Sequence, residues 1–154
     1  MTGPMPDVRL RAIDEADLPI LFEHQLDPEA NRIGGFTPRD REAFMAHWSQ
    51  ILVDETVVAR TILVDGQVGG HVVSFIRDGV RQVGYWIGRE LWGRGVATAA
   101  LAALLDEVSI RPLHAYVAKQ NLASVRVLEK CGFTITSEGV GADGVEEFVL
   151  TLPE

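Results

Sequence analysis

Val8 to Ile13 alternates apolar and polar side chains, and this two-residue period predicts a short strand. Asp14 and Asp17 follow as capping residues for a helical stretch whose apolar positions are Ala16, Leu18, Ile20, Leu21 and Leu26. After Pro38, Phe44, His47, Trp48, Ile51 and Leu52 recur at helical spacing, with acidic Asp40 and Glu42 near the start. These predict a second helix. Between the two, residues 31 to 37, with Gly34-Gly35 inside, read as a loop. From Thr56 to Gly88 the apolar stretches are cut by Asp65-Gly66 and Asp78-Gly79, dipeptides that suit tight hairpins. An antiparallel meander is expected there.

Beyond Gly88 the period changes. A glycine-spaced turn, Trp92-Gly93-Arg94-Gly95, leads into a helix with an apolar stripe at Val96, Ala100, Leu101, Leu104 and Val108, ending before Pro112. Leu113 to Ala118 then alternates as a strand, and a strand, helix and strand in that order imply a parallel pair joined by a right-handed crossover. The sheet is therefore mixed, and the fold class α/β (α+β). Asn121 caps a last helix holding Ala123, Val127, Leu128 and Cys131; Gly132 ends it, and a final hairpin turns at Asp143-Gly144.

At 154 residues with 47% hydrophobic content, one domain spanning 1–154 can build its own core. Fourteen basic against 22 acidic residues leave a net charge of −8, the wrong sign for a protein that neutralises nucleic-acid phosphates. The acidity would attract a cationic substrate, although it also serves solubility. Cys131 is the single cysteine, which excludes an intrachain disulfide and a cysteine metal site. A reducing, cytoplasmic setting follows as the expectation. Residues 1 to 7 lack a basic region and apolar run, and no stretch approaches the ~20 apolar residues of a membrane span, so no membrane partner is expected. No metal site is expected either, and a homodimer stays compatible with every feature of the chain.

The glycine turn carries the most chemistry. Gly93 and Gly95 allow backbone N–H groups to point outward with no Cβ in the way, and the following helix adds the positive end of its dipole. An anionic ligand is the first expectation.

Trp92-Gly93-Arg94-Gly95-Val96-Ala97 resembles the acetyl-CoA pyrophosphate loop of the GNAT N-acetyltransferase superfamily, whose pattern is Gln/Arg-x-x-Gly-x-Gly/Ala. Trp92 departs from its first position and resembles the ribosomal-protein alanine acetyltransferase branch, as does the preceding Gly84-Tyr85-Trp86. Asn121-x-x-Ser124, the segment Val127 to Phe133, Leu10-Arg11 and Asp27-Pro28-Glu29 resemble the same branch. The likeness spans about residues 8 to 152.

The resemblance implies a splayed sheet of about seven strands with helices on both faces. It places acetyl-CoA between the strands at Val80 to Gly88 and Leu113 to Ala118. The N–H groups of Gly93, Gly95, Val96, Ala97 and Thr98 would hold the pyrophosphate, with Trp92 and Arg94 beside them. The backbone of Trp86, Ile87 and Gly88 would face the pantetheine arm and thioester, while Asn121 and Val127 would complete the contacts. Many relatives protonate the leaving thiolate with a tyrosine where this chain has Leu128, which cannot do so. In the branch resembled here a serine at Ser124 takes that role. On its helix Ser124 otherwise serves as a cap or bonds a backbone carbonyl.

The activity implied is acetyl transfer from acetyl-CoA to a primary amine, on a protein N-terminus or a small molecule. Its general base is open: the expected strand glutamate is absent, only Gln82 lies nearby, and His71, Glu23 and His24 are substitutes alongside solvent. The acceptor pocket would form from residues 22 to 48, including His24, Phe36, Phe44 and Trp48, and from loops near Asp78 and Ala142. Cys131 lacks an activating base and is not expected to act as a nucleophile. Two other readings compete. A dinucleotide-binding turn shares Gly93-x-Gly95 but needs a glycine where Thr98 stands. A non-catalytic CoA-binding module would account for the missing tyrosine and glutamate, and would bind acetyl-CoA without transferring acetyl.

Overall fold

A computed structural model describes residues 5–141 and 144–153. Seven strands form one mixed sheet in the order β1-β2-β3-β4-β5-β7-β6. They are β1 (Val8–Ala12), β2 (Val58–Val64), β3 (Gln67–Arg77), β4 (Val80–Ile87), β5 (Leu113–Ala118), β6 (Thr134–Val140) and β7 (Glu146–Leu152). The Asp-Gly dipeptides turn the meander as expected: φ is 50° and 83° at Asp65-Gly66, and 52° and 76° at Asp78-Gly79. Two successive positive φ values match the right-handed twist of the flanking strands. The last hairpin also forms, but Asp143 and Ala142 lie outside the described residues.

Helices cover both faces. Helix α4 (Val96–Glu107) and α5 (Leu122–Lys130) cover one. Val96, Leu101, Leu104 and Leu128 share a core there with Ile62, Val72, Val83, Ile87 and Val117. On the opposite face α1 (Leu18–His24) and α3 (Arg41–Val53) bury Leu18, Leu21, Phe22, Phe44 and Trp48. Alternation along each strand assigns Val83, Tyr85 and Ile87 to the α4 face, and Gln82, Gly84 and Trp86 to the α1 face.

Two expectations need correction. Residues 31 to 37 are not a plain loop, because Pro28–Gly34 forms helix α2. Asp27 caps it through Glu29 N at 3.0 Å, Pro28 opens it, and Gly35 ends it at φ 65°. The Gly-Gly pair is thus a helix terminus. The first helical stretch is shorter and tilted: a 3-10 turn, Glu15–Asp17, precedes α1, and Ile20 and Leu26 are 41% and 42% exposed. Phe22 takes the inward position instead.

The turn before α1 is tied to the sheet by charge. Asp17 accepts from Arg11 at 2.7 and 2.9 Å and from Thr61 Oγ1 at 2.7 Å. Arg11 and these further hydrogen bonds hold its carboxyl down to about 2, against the cost of burial.

Strands β4 and β5 are parallel but pair at a single register position, Gln82 with His114. Toward Ile87 they diverge. That opening positions the site.

Candidate active site

The cavity between β4 and β5 has a volume of about 630 Å³. Its lining includes Trp86, Ile87, Trp92, Gly93, Gly95, Val96, Ala97, Thr98, Asn121, Ser124 and Val127, which sequence reasoning had gathered from three separate segments. Gly88 and Arg94 are not part of the lining. Gly88 is buried and spends its N–H on Gly69 O at 2.9 Å, toward β3, while the Arg94 side chain is exposed.

The glycine turn has the conformation an anion cradle requires. Gly93 and Gly95 sit at φ 74° and 76°, in the left-handed region that costs a residue with a Cβ about 1–2 kcal/mol. A Cβ at Gly93 would meet nothing within 4 Å, so the surface above it is open. Gly95 is the N-cap of α4 and no side chain caps that helix. Its first N–H groups therefore face the cavity end as unspent donors at the positive end of a 12-residue helix.

Trp92, where the common pattern has Gln or Arg, has a local task. Its Nε1–H donates to Ile87 O at 3.0 Å, fastening the turn to the end of β4. The Ile87 carbonyl thus points away from β3, whereas the Trp86 carbonyl points toward it, 2.0 Å from where a Gly70 Cβ would sit. Because N–H and C=O of one strand residue share a side, the Ile87 N–H also faces the opening between β4 and β5.

Ser124 is reached from two directions. Its backbone N–H donates to Asn121 Oδ1 at 3.3 Å, so Asn121 caps α5 and the serine hydroxyl is not needed as a cap. That hydroxyl lies 2.6 Å from Tyr85 Oη. Sequence reasoning passed over Tyr85 as part of a strand motif. The available signal was its alternation with Val83 and Ile87 onto the face that α5 covers. Burial pushes the Tyr85 phenol up to about 12, against the lowering effect of its Ser124 hydrogen bond. It is protonated at neutral pH and able to donate. A phenol thus stands beside the cleft from β4, while Leu128 lies buried and has no proton to give.

The candidate bases lie elsewhere. His71, Glu23, His24 and Gln82 are all outside the cavity lining. His71 packs edge-on against Trp48, 5.0 Å between centroids, and burial pushes its pKa down to about 4. Desolvation also lowers that of His24, whose backbone carbonyl accepts from Trp86 Nε1 at 3.2 Å. Phe44 and Trp48 belong to the core under α1, while Phe36 lines the cavity and meets Trp86 at 5.1 Å. Cys131 donates weakly to Thr98 O at 3.7 Å, and burial pushes its thiol up, away from the nucleophilic thiolate.

Arg126 escaped notice, and Lys130 reads in the sequence as a solvated residue on the outer face of its helix, although long enough to reach a phosphate. Arg126 and Lys130, both on α5, are the charged residues among those lining the cavity, and they lie on the α4 side of it. An anionic co-substrate such as coenzyme A fits this arrangement: open donors and positive charge at one end, and an apolar slot between strands. Among the described residues no cluster of His, Cys, Asp and Glu could hold a metal ion, and no helix is long and apolar enough to cross a membrane.

Comparison with known proteins agrees with this geometry. The family model described as Acetyltransferase (GNAT) domain matches residues 7–134. An N-acetyltransferase of Bacillus licheniformis named p20, itself uncharacterized, is 25% identical over 138 residues, covering 80% of this chain and 77% of that protein. Among solved structures, RimL, a ribosomal L7/L12 alpha-N-protein acetyltransferase in complex with coenzyme A, superposes with a TM-score of 0.81 at 19% identity. That match covers 95% of this chain and 93% of the other. Spermidine N-acetyltransferase from Vibrio cholerae, in complex with CoA and spermine, gives a TM-score of 0.81 at 16% identity, covering 95% of each chain. The chain belongs to the GNAT acetyltransferase family, and so to the acetyl-CoA-dependent N-acetyltransferases.

Proposed function

We propose that this enzyme moves acetyl from acetyl-CoA to a primary amine by direct attack in a ternary complex, with Ser124 as the proton donor. The observation that carries this reading is the 2.6 Å contact of Ser124 Oγ with Tyr85 Oη at the wall of the cavity. Acetyl-CoA is the co-substrate supplying the thioester. Backbone N–H groups of Gly93, Gly95, Val96, Ala97 and Thr98 hold its pyrophosphate, and Arg126 and Lys130 add positive charge. Asn121, Val127 and the backbone at Trp86 border the arm that carries the acetyl group.

The Ile87 N–H, turned into the opening, donates to the oxyanion that forms on attack. The C–N bond forms in that attack; the C–S bond then breaks as the carbonyl re-forms, and Ser124 gives its hydroxyl proton to the departing sulfur. Tyr85 donates to Ser124 Oγ, which leaves the serine hydrogen free to point into the cleft; after transfer Tyr85 passes its proton to Ser124 and takes one back from solvent. The amine proton leaves to solvent. None of the titratable candidates for a base lines the cavity, which supports water in that role. The raised Cys131 thiol supports a route without a covalent enzyme intermediate.

The acceptor is a protein N-terminal amine or a small-molecule amine. Both classes occur in the names of its structural neighbours, and the charge of −8 favours a cationic acceptor. A panel of peptides, polyamines, amino acids and aminoglycosides, assayed with acetyl-CoA, tests the reading. We expect an N-acetylated product by mass and intersecting initial-rate patterns. Acetyl-CoA binding without transfer to any amine, or a ping-pong pattern, would contradict it.

A further inference from the structure

The cavity is lined by every residue from Val83 to Ile87 and by every residue from Ala115 to Ala118. Successive strand residues point to opposite faces, so a cavity that touches all of them passes between the strands from one face to the other. It has two mouths. The one on the α4 face holds the glycine cradle, Arg126, Lys130 and Ser124. The one on the α1 face is walled by Phe36, Trp86 and Tyr116, with α2 beside it and none of the lining charges.

Gly84 stands at that second mouth, and nothing in the fold requires a glycine there. Its φ is outside the left-handed region that L side chains avoid. A Cβ built on it would meet Val73 Cγ1 at 3.8 Å and Phe75 Cε1 at 3.9 Å, ordinary contacts. Gly70, on the neighbouring strand β3, shows the contrast: its Cβ would strike Trp86 O at 2.0 Å. Glycine inside a strand costs roughly 0.5–1 kcal/mol relative to alanine, and its usual reason is a bulge or the close approach of another group. No bulge interrupts β3 and β4 here, where Val73 pairs with Gly84. In the parallel register set by Gln82 and His114, Gly84 falls level with Tyr116, which is 45% exposed.

We infer that Gly84 sets the width of an amine port on the sheet face opposite Ser124. The port takes a primary amine whose flanking group packs on Phe36, Trp86 and Tyr116, and the missing side chain at 84 leaves room for substituents on the carbon bearing the nitrogen. Aromatic faces suit an incoming ammonium or an apolar flank, and among the described residues that line this mouth none offers a positive charge to an acidic flank. The inference rests on the amine-transfer reading and on the acceptor pocket that the family resemblance implies near Phe36, and adds the residue that limits the acceptor's size.

Gly84→Ala and Gly84→Val test it, with wild type as reference. The acceptors are unbranched alkylamines and polyamines, and peptides that begin with Gly or with Val. Acetyl-CoA affinity by calorimetry should stay within about twofold, and the unfolding midpoint should hold or rise, because removing a strand glycine favours folding. For the best acceptor, kcat/KM should fall about tenfold or more in Gly84→Val, the scale on which a methylene-sized change alters a shaped pocket. The loss should be larger for amines branched next to nitrogen. Unchanged kcat/KM, or an equal loss for branched and unbranched amines, would overturn the port while leaving the amine-transfer reading intact. Wild type that binds acetyl-CoA and acetylates nothing in the panel would overturn both.

Discussion

Tyr85 Oη lies 2.6 Å from Ser124 Oγ, joining strand β4 to helix α5 across the wall of the cleft. The pair brings a buried phenol and a hydroxyl from positions 39 residues apart to one proton-transfer site. Tyr85→Phe should therefore lower kcat by about tenfold, less than the 10²–10⁴ range expected for loss of a general acid itself, with acetyl-CoA affinity preserved. Adding Tyr85→Phe to Ser124→Ala should have little further effect, because groups that act as a unit are not additive. Additive losses in the double variant would separate the two residues.

Trp92 holds the Ile87 carbonyl through its indole N–H, and so fixes the backbone whose N–H faces the opening between β4 and β5. Trp92→Phe keeps the ring and removes the donor. It should cost about 1 kcal/mol of stability, the net worth of one hydrogen bond, and lower kcat more than it raises KM for acetyl-CoA. Kinetics combined with thermal unfolding checks this.

Gly95 supplies the left-handed turn at φ 76° from which α4 starts. Gly95→Ala should weaken acetyl-CoA binding by about tenfold, since about 1–2 kcal/mol of backbone strain displaces the N–H groups of the cradle. Calorimetric titration with acetyl-CoA and with CoA should show the same loss for both, because the pyrophosphate proposed to sit in the cradle is common to both.

Asp17 links acidity to stability rather than to turnover. Its carboxyl is held down to about 2 in the folded chain, against an ordinary value of 3.8, chiefly by the Arg11 hydrogen bonds. A group depressed on folding stabilises above its unfolded pKa, so this contribution is present at neutral pH and is lost as pH falls from about 4 toward 2. Asp17→Asn should flatten the denaturation profile in that window. It should also destabilise the protein at pH 7 by about 2 kcal/mol, less than a fully buried pair because Arg11 keeps contact with water.

The elements with strong local signals were legible in the sequence. Asp65-Gly66 and Asp78-Gly79 specify their own backbone angles, and the stripe from Val96 to Leu104 marks both the helix and its buried face. The glycine cradle and Asn121 were legible for the same reason, since each acts through its own backbone or its nearest neighbours. Helix α2 was hidden because no residue of it is buried, which leaves no apolar period to detect. Tyr116 and Arg126 were hidden for another reason. Their significance comes from β4 diverging from β5, and a pairing that stops after Gln82 and His114 leaves no trace in local periodicity.

Cys131 donates to Thr98 O close to the cradle, yet it takes no part in the chemistry proposed. Cys131→Ala should retain activity, with a modest loss of stability from the half-buried side chain. Abolished transfer in a folded variant would point to an acetylated cysteine.

The most direct test compares wild type with Ser124→Ala at saturating acetyl-CoA and amine, measuring turnover alongside acetyl-CoA affinity. Proton donation by Ser124 predicts kcat lower by about 10²–10⁴-fold with acetyl-CoA affinity changed less than about threefold. Unchanged turnover under those conditions would contradict it.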